Sequence, residues 1–279
     1  MCENIFKKAM EVITEKRQHI NDSDEQQSVN AAIRAIKIAY NGHNINTITA
    51  GQLDFSQLSY RRARVWGRFF NSSLEVELWL ALVKQKKSVN VCSLGGGPGT
   101  DLIALQLFLK MKNMSNVKIS GAIFDKYIEW DDIFRPLVSK FRVGNANVVF
   151  DVDYEKFDVF NVSDDSVVIG RIQQADVVTI VKFVSAVGYN RNKIQIAMEK
   201  LLKFVKPGAL VFFLDNSDGD LAELMKRAAA VDANLSLLAD LSRKKMRVPA
   251  GERKSMVSNG YLYGPQKNAM VSACMWMKC

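Results

Sequence analysis

The chain has 279 residues, 48% of them hydrophobic and 24% charged, ordinary usage for a globular protein with a sizeable core. No apolar run approaches the roughly 20 residues that span a bilayer, and Met1 to Lys16 holds no apolar signal region, so neither membrane insertion nor secretion is expected. A formal charge of +9 admits nucleic acid, an anionic surface or an acidic substrate without choosing among them.

Residues 1–87 are predicted as an N-terminal helical extension. Ile5, Ala9, Val12 and Ile13 form one apolar stripe, and Val29, Ala32, Ile33, Ile36 and Tyr40 another. Leu58, Arg62, Val65, Trp66 and Phe69 share a third face. Ser72 and Glu75 then open a helix through Leu78 and Leu82, ending in Lys84, Lys86 and Lys87, cations that suit the negative end of its dipole.

From residue 88 to 279 the pattern alternates. Val89 to Leu94 reads as a strand, followed by a glycine turn and a helix over Leu102 to Met111. Val117 to Phe124 is a second strand, with a helix around Trp130 to Phe141, and Val148 to Val152 begins a third. Val177 to Phe183 is a fourth strand, followed by a helix from Lys193 to Val205. Lys206-Pro207-Gly208 turns into a strand from Ala209 to Leu214, and a helix covers Leu221 to Val231. Leu235 to Leu241 and Met270 to Met277 read as two closing strands joined by a long basic segment. This order predicts an α/β fold: a doubly wound, mostly parallel seven-stranded sheet flanked by helices.

In such a sheet, ligands sit beyond the carboxyl ends of the strands at the topological switch point. Leu94-Gly95-Gly96-Gly97-Pro98-Gly99-Thr100-Asp101 follows the first strand, and its glycines allow a nucleotide to approach the backbone. The dinucleotide fingerprint needs glycine at 95, 97 and 100, but position 100 is Thr. A phosphate-binding loop is excluded too, because no Gly-Lys-Ser/Thr follows.

The Gly-x-Gly-x-Gly spacing with an acid nearby, Asp101, resembles motif I of class I S-adenosylmethionine (SAM)-dependent methyltransferases. Further positions resemble the family in the same order. Asp125 ends the second strand, where the family places the carboxylate for the ribose hydroxyls. Asp158, or alternatively Asp153, falls where a side chain often meets the adenine amino group. The stretch Asp176 to Phe183 resembles the fourth strand, whose end, with Lys182 and Phe183, lies beside the transferred methyl. Val205 to Leu210 resembles the turn into strand five. The resemblance implies SAM as cofactor, S-adenosylhomocysteine as product, and cofactor contacts from Leu94 through Gly99, Asp101, Asp125, Asp158, Lys182 and Phe183. In the extension, Leu53 to Ser56, Tyr60 to Ala63 and Phe69-Phe70 resemble a segment that precedes the same core in uncharacterised eukaryotic members; it implies no substrate.

Absences narrow the chemistry. Amino-group methylation of bases in this superfamily uses Asn or Asp followed by Pro-Pro-aromatic after strand four, where this chain has Lys182-Phe183-Val184-Ser185. Cytosine C5 methylation needs a cysteine, and none lies between Cys92 and Cys274. Cys2, Cys92, Cys274 and Cys279 show neither metal-ligand spacing nor a disulfide framework, so reduced thiols in a cytoplasmic or nuclear protein are expected. With only His19 and His43, both upstream, no metal site is expected. Transfer to a ring nitrogen, an oxygen, a protein amine or a small molecule remains.

Lys182 is the candidate catalytic residue, as a base of lowered pKa or a holder of an anionic acceptor; equally, its stem packs while the ammonium reaches water. Asp215 and Asn216, after strand five, are candidates for the acceptor pocket; equally, Asn216-Ser217-Asp218 suits a cap on the next helix, the reading we favour. Two basic stretches are candidates for recruiting RNA. One is Arg61, Arg62, Arg64 and Arg68 interleaved with Tyr60, Trp66, Phe69 and Phe70; Tyr60 and Arg64 are its expected substrate contacts. The other is Arg243, Lys244, Lys245 and Arg247 with Arg253 and Lys254 in a joining loop. Three functions follow: an RNA methyltransferase, a small-molecule or protein methyltransferase lidded by the N-terminal helices, and a SAM-binding sensor without turnover. The sequence leaves the oligomeric state open.

Overall fold

A computed structural model describes residues 74–143, 150–163, 166–188, 190–232, 234–247 and 268–279. The strands at the middle of its sheet, Val177–Val181 and Leu210–Asn216, are buried on both faces, as strands covered by helices on two sides must be. Leu210, Phe212 and Leu214 of one strand point into one core and Val211 and Phe213 into the other. Phe212 and Phe213 are wholly buried, each worth about 1.5–3 kcal/mol in removed apolar surface.

In chain order the elements are α1 (Leu74–Lys86), β1 (Ser88–Leu94), α2 (Thr100–Met111), β2 (Lys118–Asp125), α3 (Asp131–Val143), β3 (Phe150–Lys156), α4 (Val167–Gln174) and β4 (Val177–Val181). There follow α5 (Val184–Val187), α6 (Arg191–Leu202), β5 (Leu210–Asn216), α7 (Leu221–Ala230), β6 (Leu235–Arg247) and β7 (Asn268–Lys278). The seven strands form one sheet in the order β3-β2-β1-β4-β5-β7-β6, a doubly wound arrangement as expected. β1 to β5 pair in parallel, whereas β7 runs antiparallel between β5 and β6. The order reverses between β1 and β4, which fixes the switch point there. The first core holds α1, α2 and α3 against one face of the sheet, and the second holds α4, α6 and α7 against the other.

Four features differ from the sequence expectation. The helix assigned to the end of the extension is a layer of the core: Trp79, Leu80 and Val83 are buried, and the Trp79 indole donates to the Asp176 carbonyl at 3.2 Å. α4 had no predicted counterpart. β4 stops at Val181 rather than Phe183, because Lys182 takes a left-handed conformation (φ 57°) that turns the chain out of the sheet. Last, Arg243 to Arg247, expected in a loop, continue β6 as strand past a bulge between Leu241 and Lys244. Among the described residues, no helix is long and apolar enough to cross a membrane.

Candidate nucleotide site at the switch point

The Gly95 N–H donates to the Phe124 carbonyl of β2 at 2.7 Å, closing the turn over the ends of β1 and β2. Gly95 and Gly97 have φ of 62° and 49°, which L side chains adopt only under strain. Their surroundings differ. A Cβ on Gly95 would lie 2.0 Å from Cδ2 of Phe183, whose buried ring is packed flat onto the turn. On Gly97 it would meet nothing nearer than the Trp130 ring at 3.9 Å among the described residues. Gly95 is therefore glycine to admit Phe183, while a side chain on Gly97 would meet only the Trp130 ring, at ordinary van der Waals distance, among the described residues. Pro98 and Gly99, buried with Gly97, complete the turn, and Gly99 precedes the first residue of α2.

Asp125, the last residue of β2, faces this turn. One carboxylate oxygen, Oδ2, accepts the Gly97 N–H at 2.9 Å, and Oδ1 accepts the Tyr127 N–H at 3.0 Å. Burial pushes its carboxyl above the ordinary aspartate range, opposed by these backbone donors. Each oxygen keeps a lone pair for a further donor. The following 3-10 turn, Ile128–Trp130, leaves Ile128 45% exposed beside the acid, an apolar surface at the same strand end.

Asp101 stands elsewhere. Its side chain is fully buried, and Oδ2 accepts the Ser93 hydroxyl at 2.5 Å and the Thr179 hydroxyl. It thus bolts the start of α2 to β1 and β4 beneath the turn, with Oδ1 buried and unpartnered among the described residues. Thr179 carries no sequence signal of its own beyond an isolated polar residue in an apolar strand.

The two candidates for the adenine side separate clearly. Asp153 lies mid-strand, paired with Ala122, and its carboxylate takes Arg171 of α4 at 2.6 Å. Asp158 lies past the end of β3, next to Phe157, whose N–H donates to the Asp125 carbonyl at 2.8 Å. Asp158 Oδ1 accepts the Phe160 N–H at 3.1 Å and caps the short 3-10 turn Val159–Asn161.

Beyond β4, the Lys182 N–H donates to the Leu214 carbonyl at 2.8 Å, and its ammonium donates to Asn216 Oδ1. Asp215, the other candidate after strand five, has its carboxylate engaged within the fold. It is fully buried, its Oδ2 accepts the Ser185 N–H at 2.8 Å and its Oδ1 the Asn216 N–H, so it caps the start of α5. Arg243, Lys244 and Lys245 are exposed on β6, at the same carboxyl edge of the sheet. Tyr60 and Arg64 lie outside the described residues, as do Arg253 and Lys254. Among the described residues, no group of three His, Cys, Asp or Glu side chains converges as a metal site.

No protein-family model and no curated protein matches the sequence. Similar solved structures include a SAM-dependent methyltransferase from Methanosarcina mazei, at 11% identity and TM-score 0.42 over 69% of this chain and 93% of that one. A SAM-dependent methyltransferase from Clostridium acetobutylicum matches at 10% identity and TM-score 0.38 over 77% and 97%. Precorrin-6y C5,15-methyltransferase from Geobacter metallireducens matches at 13% identity and TM-score 0.38 over 73% and 87%.

Proposed function

We propose that the chain transfers a methyl group from SAM to RNA, at a ring nitrogen or an oxygen. The observation that carries the cofactor part is the hydrogen bond from the Gly97 N–H to Asp125, which joins the left-handed glycine turn to a strand-end carboxylate at the switch point. A nucleoside needs both: an open backbone for the chain next to its ribose, and acceptors for two hydroxyls. Asp125 offers those acceptors, Ile128 an apolar wall for the base, and Asp158 an acceptor at its far edge.

SAM, when bound, supplies an electrophilic sulfonium methyl. The remaining work is positioning and exclusion of water. Lys182 is the residue we assign to the acceptor. An ammonium that donates to Asn216 is arranged as a donor, which suits holding an oxygen or phosphate of the acceptor rather than removing its proton. A ring nitrogen with a free lone pair needs no base. The net charge of +9 and the exposed Arg243, Lys244 and Lys245 at the same edge favour a polyanionic acceptor over a neutral metabolite.

The test incubates the pure full chain with SAM carrying a tritiated methyl and with cellular RNA, protein and metabolite fractions. Label in RNA that survives protease and vanishes with nuclease is expected. Label confined to protein or metabolites, or SAM bound without transfer to any fraction, refutes the RNA reading.

A further inference from the structure

The pairing of the last strands extends beyond what the sheet needs. β5 ends at Asn216, opposite Val271 of β7. β7 and β6 continue past that point with three more rungs, Lys245 opposite Met270, Met246 opposite Ala269 and Arg247 opposite Asn268. At about 3.4 Å per residue, the two-stranded ribbon stands about 10 Å above the carboxyl edge. The Ser217 N–H donates to the Met270 carbonyl at 3.1 Å, which fixes the ribbon's base to the end of β5.

Its exposed side chains are mostly cationic. Arg243, Lys244 and Lys245 are exposed in sequence, and Met270, directly across from Lys245, is 41% exposed. Lysines on an edge strand also deter pairing with other chains, but that purpose does not require an exposed methionine between cations and the strand end. Lower on β6, Asp240 is already paired with Lys226, so it does not neutralise the ridge. Asp218 and Asp220, exposed after β5, are the acids nearest in sequence to the crevice side. β6 lies three strands from β4, about 14 Å across the sheet.

We infer that this ribbon is the docking ridge for the backbone of single-stranded RNA, with phosphates on Arg243, Lys244 and Lys245 and a base resting on Met270. The inference rests on the RNA reading above. Cations with an adjacent apolar side chain match the two recognisable parts of an unpaired strand, its phosphates and its exposed base faces. Single-stranded rather than duplex RNA is the form whose base faces are free to rest on the exposed Met270.

The experiment measures binding of a fluorescent single-stranded RNA to the full chain across a salt series. The ridge variant is R243Q/K244Q/K245Q. A charge-matched control, K84Q/K87Q/K203Q, neutralises exposed lysines at the opposite edge of the sheet. At about 0.7 in the log–log salt slope per single-strand phosphate contact, the ridge variant loses about 2 in slope and on the order of 100-fold in affinity at 0.1 M salt. The control loses less than about tenfold, and SAM affinity by calorimetry is unchanged in both. If the wild type binds steeply but the two variants lose alike, or the ridge variant loses nothing, the ridge is refuted and the RNA reading stands. If the wild type itself shows no salt-dependent RNA binding, both fail. Equal or tighter ridge-dependent binding of duplex RNA overturns the single-strand assignment.

Discussion

The two left-handed glycines of the turn separate packing from ligand access, and Gly95→Ala and Gly97→Ala read them independently. At both positions an alanine pays about 1–2 kcal/mol for a left-handed backbone. At Gly95 the new methyl also lies 2.0, 2.4 and 2.8 Å from three atoms of Phe183, so no single rotation of the ring relieves it. Overpacking of this kind adds about 1–3 kcal/mol, giving about 2–5 kcal/mol in all, a large part of a total stability of roughly 5–15 kcal/mol. At Gly97 no comparable clash arises, and the expected loss stays at about 1–2 kcal/mol. Urea unfolding followed by tryptophan fluorescence measures both, and calorimetry with SAM measures binding. Gly97→Ala folds but loses SAM affinity by at least about tenfold, since its methyl intrudes where the nucleotide approaches. Phe183→Leu in the Gly95→Ala background restores part of the stability. Equal destabilisation by the two alanines, or undiminished SAM binding by Gly97→Ala, refutes the division of roles.

Asp101→Ala strands two buried hydroxyls, Ser93 and Thr179, and is expected to cost about 2–4 kcal/mol in the same assay, with Asp101→Asn costing less because one acceptor remains. Lys182→Gly relieves the left-handed backbone, so stability holds or rises by up to about 1 kcal/mol, while methyl transfer falls about 10- to 100-fold with the lost ammonium; unchanged activity removes Lys182 from the site. Asp176 is pushed up by burial but pulled further down by the Lys206 hydrogen bond, the Asn90 N–H and the Lys206 and Lys86 ammoniums, so its net shift is downward. A depressed carboxylate stabilises above the ordinary aspartate pKa near 3.9, and that stability is lost as pH falls through its folded value. Asp176→Asn is therefore less stable at pH 7 and shows a flatter acid limb below about pH 4 in urea titrations; an unchanged acid limb refutes the assignment.

The fold was legible where apolar periodicity and glycine position act locally. β1, its turn and β2 could be read because buried parallel strands are continuous apolar runs and the turn demands glycine. α4 was not legible: Val167-Val168-Ile169 is a β-branched run followed by Gly170, which reads as neither helix nor strand until the crossover from β3 to β4 forces the helix. The extension of β6 was hidden by its cations, since an exposed ribbon has no apolar alternation to show. At the site, Asp125 was readable because it closes a strand. The surroundings of Asp215 were not readable, because a polar residue at a strand end looks the same whether its carboxylate faces a ligand or caps a helix. Only the Ser185 and Asn216 N–H groups, one of them 30 residues away in sequence, decide that.

The bond between Asp125 and the Gly97 N–H also bears on the entropy of recognition. A glycine-rich segment left loose would have to be immobilised at every encounter, and the entropy of doing so would weaken binding. Under the proposed function, the carboxylate that would receive the ribose already holds the segment, so part of that ordering is done when the chain folds rather than when the nucleotide arrives.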